Sequence, residues 1–93
     1  MKIGILSILI SVSASFSLKD KRRVVKSLLD IIRNKYNVSA AEIDYLDSWR
    51  QAGIGFAAIS NDSAVVHKVL NKIMEYIESN PEIEVLDSRI EEL

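Results

Sequence analysis

The 93-residue chain has no cysteine, one proline, one histidine, one tryptophan and three glycines. Without cysteine there is no disulfide framework, no thiolate nucleophile and no sulfur-bound metal, a composition that fits a reducing cytoplasm, where the protein is expected to reside. The fold must then rest on packing. His67 has no second imidazole or thiol to join it and falls at the edge of a helical apolar arc, so it reads as a solvated or half-buried side chain and not as a metal ligand. Neither a metal nor a cofactor is expected. The chain also lacks linkers, repeats and low-complexity stretches, which leaves one domain over residues 1–93. Its longest apolar run, Ile3 to Val12, is half the roughly 20 residues that a membrane-spanning helix requires. Lys2, that run and the following "SVSAS" imitate a secretory signal, but the isoleucine-rich composition and the interruption at Ser7 suit a buried strand better. No membrane partner is expected.

What is present is an ordinary globular composition, 48% hydrophobic and 27% charged. A chain this short buries a modest share of its surface, so self-association is expected to help it. The net charge of −1 hides a division: residues 1–40 carry eight Lys/Arg against two Asp/Glu, and residues 41–93 carry four against eleven. The halves, at +6 and −7, either attract each other or give the first half an anionic partner.

Hydrophobic periodicity predicts strands at 2–13, 38–46, 51–60 and 82–91, with helices at 18–35 and 63–79. Val24, Val25, Leu28, Leu29, Ile31, Ile32 and Tyr36 fall in one arc of the first helix; Val65, Val66, Val69, Leu70, Ile73, Met74 and Ile77 do so in the second. Ser17 and Asp20 resemble a capping box, and Pro81 after "SN" marks a stop. The order strand, helix, strand, strand, helix, strand is that of an α+β ferredoxin-like sandwich, a four-stranded antiparallel sheet of order 4-1-3-2 with both helices on one face. Leu6, Ile8, Ile10, Val12, Ile54, Phe56 and Ala58 then face the helices. The opposite face shows Ile3, Ile5, Leu9, Gly53, Gly55, Ala57 and Ile59, too apolar for water, and a homodimer through it is expected.

The same tracing brings the start of the first helix, the "LDSWRQ" hairpin and the "SNP" turn to one end. Lys19, Lys21, Arg22, Arg23 and Lys26 crowd that helix start, where positive charge is least favourable and where an anion, above all phosphate, is favoured. Trp49, beside Arg50, reads either as a ring folded over the sheet edge or as a platform on which a base can stack. Neutralising Lys21, Arg22 and Arg23 is therefore expected to weaken RNA binding without lowering stability. "AGIGFAAI" imitates an RNA-recognition strand, but Ala52 and Ile54 stand where a basic residue and an exposed aromatic are needed. "SVSASFS" contains no glycine, unlike the phosphate-cradling loop of acylphosphatases with this topology. Glu42 and Asp44, on one face of the second strand, read as charges guarding a sheet edge. No enzymatic activity is expected.

"SLKDKRRVVKSLLDIIRNKYNVSAAEID" followed by "DSWRQAGIGFAAISND" resembles the YlxP-like family of small bacterial proteins over nearly the whole chain. The resemblance implies a ferredoxin-like fold and, because genes of that family often lie near those for translation and ribosome maturation, an address near RNA, without an activity. Together these readings give a non-enzymatic cytoplasmic protein that binds structured RNA or a ribosomal particle. The alternative is a homodimeric protein-interaction or small-ligand module without nucleic-acid contact.

Overall fold

Alternating β-branched residues after Lys2 form an 11-residue strand, β1 (Lys2–Val12), in the computed structural model, which describes all 93 residues. It is followed by α1 (Leu18–Lys35), β2 (Ser39–Asp44), β3 (Gln51–Ser60), α2 (Ser63–Glu78) and β4 (Ile83–Glu92). The first helix starts where its cap dictates: Ser17 is extended and its Oγ accepts the Asp20 N–H at 3.1 Å. The Asp20 carboxylate returns to the Phe16 N–H at 3.2 Å, one residue upstream of the usual reciprocal bond. For α2 the cap is Asp62, which accepts from the Ala64 N–H at 2.9 Å.

All strand pairs are antiparallel in the order β2-β3-β1-β4, which is 4-1-3-2 read from the other edge. The fold is the ferredoxin-like βαββαβ sandwich. One sheet face (Leu6, Ile8, Ile10, Val12, Ile54, Phe56, Ala58) joins Val25, Leu28, Leu29 and Ile32 of α1 and Val66, Leu70, Ile73 and Ile77 of α2 in a single buried cluster. Val24, Tyr36, Val69 and Met74 of the expected arcs pack against it half-buried, and two members are left out. Ile31 and Val65 sit at the arc margins and are exposed.

Close helix–sheet contact depends on Gly4. A Cβ there would stand 2.3 Å from Val66 Cγ1 and 3.0 Å from Leu70 Cδ1, both on buried residues of α2. Gly4→Ala is expected to push α2 off β1 and lower stability by about 1–3 kcal/mol, read as a lower urea midpoint at unchanged m-value.

Candidate nucleic-acid interface

Three connections meet at one end of the sheet, held by a few polar contacts. The Val12 N–H donates to the Arg50 carbonyl at 2.7 Å, and Ser13 donates from both N–H (3.0 Å) and Oγ (3.1 Å) to the Glu82 carbonyl. Ser15 is buried, and its hydroxyl lies between the carbonyls of Ser17, at 3.0 Å, and Trp49. The β1–α1 loop, the β2–β3 loop and the turn before β4 are thereby tied together. Trp49 and the basic start of α1 do share one end, as the topology predicts.

Lys21 does not face outward. It is 0% exposed, and its Nζ donates to Glu42 Oε2 at 2.6 Å, to the Tyr45 carbonyl at 2.9 Å and to the Leu46 carbonyl at 3.4 Å. An ammonium has three N–H donors, and three acceptors surround it. It therefore has nothing left to offer an external phosphate, and the expectation that neutralising it leaves stability unchanged is corrected. Helical spacing explains the placement: Lys21 precedes Val25 by one turn and Leu28 by two, in the centre of the buried stripe. The acid that holds it, Glu42, is in β2.

The β2–β3 turn is shaped around this contact. Tyr45 has φ 59, a left-handed conformation uncommon for a residue other than glycine. Its N–H is held by Asp44 Oδ1 at 2.9 Å, and its carbonyl accepts from Lys21 and from the Ser48 N–H at 3.0 Å. Glu42 and Asp44 are not on one face, because the register shifts between them. Glu42 points to the helices and Lys21. Beyond the shift, a Cβ on Gly55 would meet Ile43 and a Cβ on Gly53 would meet Asp44 Cβ at 2.7 Å, so Ile43 and Asp44 lie on the open face.

The other basic residues are exposed, in three situations. Arg23 pairs with Asp20 at 2.8 Å and Lys26 with Asp30 at 3.0 Å, both within α1 and open to water, contacts worth about 0.3–0.5 kcal/mol that phosphate could displace. Arg33 reaches Asp30 at 3.6 Å and the Ala40 carbonyl at 2.5 Å, fastening α1 to β2. Lys19, Arg22 and Arg50 have no carboxylate within 4 Å. Among them stand two exposed rings: Trp49, 52% exposed, and Phe16, 71% exposed, joined through the loops that Ser15 connects. Phe16 was not singled out in the sequence. Its position just before the helix cap usually supports an apolar staple, which disguises an outward-facing ring. His67 lies on α2 and approaches Glu92 at 3.5 Å, away from this end.

The expected dimer-face residues Ile5, Leu9, Gly53, Gly55, Ala57 and Ile59 share the sheet face opposite the helices, with Ile43 added to them. Only Gly53 among them is buried, beneath Asp44. No group of three or more His, Cys, Asp or Glu residues is placed to hold a metal ion, and no helix is long and apolar enough to cross a membrane.

Fold and loop end define a small ferredoxin-like domain with a charged, aromatic tip on a sealed core. The family model described as "Protein of unknown function (DUF503)" matches residues 3–90, and the chain belongs to that family. It is 43% identical over 75 residues to the "Uncharacterized protein YlxP" of Bacillus subtilis (strain 168), covering 81% of this chain and 82% of that one. Among solved structures, the "De novo designed protein Foldit4" matches with a TM-score of 0.58 at 13% identity, over 98% of this chain and 97% of that chain. At that identity the likeness is one of fold alone.

Proposed function

We propose that the protein is a non-enzymatic, cytoplasmic RNA-binding domain that docks on structured RNA or a ribosomal particle through its loop end. One observation carries this reading: Lys19, Arg22 and Arg50, all exposed and without carboxylate partners, stand at the same end as the exposed Trp49 ring. Cations unpaired within the fold are free to release counterions from a phosphate backbone, and an exposed indole is a platform for an unstacked base. Arg23 and Lys26 extend the basic surface along α1 once phosphate displaces Asp20 and Asp30. The buried pair of Lys21 with Glu42 supports the reading indirectly, since it fixes the loop that presents Trp49.

Because Trp49 is the only tryptophan, its fluorescence reports this end alone. Titration with an RNA hairpin carrying an unpaired loop is expected to quench it, and Trp49→Ala is expected to weaken binding by about 1–3 kcal/mol, one stacked base. Unchanged fluorescence at RNA saturation, or a Trp49→Ala variant that binds as the wild type does, would count against the stacking role.

A further inference from the structure

We propose that a second copy of this chain covers the open sheet face, with β3 lying along β3 of its partner on a two-fold axis parallel to the strands. The inference stands apart from the RNA reading, which uses the loop end.

Strand register lays the open face out in columns. On β1 the large side chains Ile5 and Leu9 flank Ser7, and beside them on β3 lie Ala57, Gly55 and Gly53. Next comes β2, where Ser39 and Ala41 are small and Ile43, 59% exposed, leans over Gly55. Between Ile5, Ala41, Ile43 and Ala57 is a shallow apolar depression of about 260 Å³. The fourth column, on β4, carries charges: Glu91, Arg89 and Asp87 stand beside Ile5, Ser7 and Leu9, with Arg89 Nε 3.1 Å from Glu91, and the exposed Leu86 follows at the bulge. The surface to be covered is thus apolar along β1, β3 and the Ser39–Ile43 stretch of β2, with the charged β4 border on one side and the Asp44 carboxylate at its loop-end corner, level with Gly53 and Leu9.

That border discriminates between the ways two copies could stack. An axis across the strands would lay β4 on β4 and take Glu91, Arg89 and Asp87 of both copies out of water, a desolvation cost that pairing among them repays only in excellent geometry. An axis along the strands through β3 keeps both β4 columns outside the contact as a solvated rim, the arrangement found in stable interfaces. In this register Ile5 of each copy lies over Ser39 of the other and Ser7 over Ala41, while Leu9 meets the Ile43 end of the column, where Asp44 stands at the rim. The glycine-bearing β3 columns meet each other, where missing side chains let two sheets approach closely. A foreign partner would need a flat apolar patch of the same width with no charge opposite its centre. The chain already has that surface, and two-fold repetition matches it to itself.

The absence of cysteine makes the register testable. Ala57→Cys puts a thiol next to the axis and is expected to give a disulfide-linked dimer under mild oxidation, whereas Asp87→Cys on the rim is not. Sedimentation equilibrium of the wild type is expected to show a concentration-dependent dimer that Leu9→Asp abolishes. If Leu9→Asp fails to fold by circular dichroism, Ala41→Lys, on the exposed β2 column, supplies the same readout. A wild-type monomer at every concentration tested overturns the proposal, and so does preferential cross-linking of Asp87→Cys. RNA binding that survives in a folded Leu9→Asp monomer separates this proposal from the loop-end reading.

Discussion

Lys21→Met is expected to lower the stability of the isolated protein by about 3–5 kcal/mol, a large share of the 5–15 kcal/mol typical of a domain. Methionine fills the volume of the lysine stem but donates nothing. Glu42, with a side chain only 16% exposed, would lose its counter-charge, and the Tyr45 and Leu46 carbonyls would lose a donor. A buried group left without its partner bears its full desolvation penalty, which is why breaking such a pair matters more than the pair's net worth. The double variant Lys21→Met, Glu42→Leu removes both charges and is expected to regain much of the loss. Urea midpoints of the three proteins check this. A lysine pointing outward would leave the midpoint of Lys21→Met unchanged.

The second large effect concerns the cations that are free. Replacing Lys19, Arg22 and Arg50 together by Gln is expected to leave stability within about 0.5 kcal/mol of wild type, since all three are exposed surface groups without ionic partners. RNA affinity is expected to fall on the order of a hundredfold at about 0.1 M salt, because each lost phosphate contact removes roughly 0.7–0.9 from the slope of log affinity against log salt. Stability and affinity therefore separate: Lys21→Met moves the first, and the triple variant moves the second. A triple variant with wild-type affinity would leave the loop end without its proposed partner.

Much of this organisation is legible in the residues. The isoleucine-rich apolar run from Ile3 to Val12 and the two helical arcs of period 3.6 define the first strand and the helices, and the order of the elements defines the sheet. Bringing Trp49 to the start of α1 needed only up-and-down tracing. The role of Lys21 was less open to view, since a charged side chain on an apolar arc reads as part of a basic cluster until its acid is found. Its spacing to Val25, Leu28 and Ile32 was the available signal, and the Glu42 of β2 lies 21 residues away in the chain. The register shift at Ile43, which turns Asp44 away from Glu42, had no signal. No glycine or proline marks it, and a strand one residue longer would read the same. Ser15 was hidden among the serines of "SVSASFS", of which only this one is buried under the hairpin.

The most direct test of the central claim, that the loop end meets an RNA backbone through unpaired cations, is a salt titration of affinity for one RNA hairpin by wild type and by the Lys19, Arg22, Arg50 to Gln variant. The wild-type log affinity is expected to fall linearly with log salt at a slope of roughly −2 or steeper, and the variant's slope to flatten by about 2. Parallel lines for the two proteins, or a wild-type slope near zero, would contradict the account.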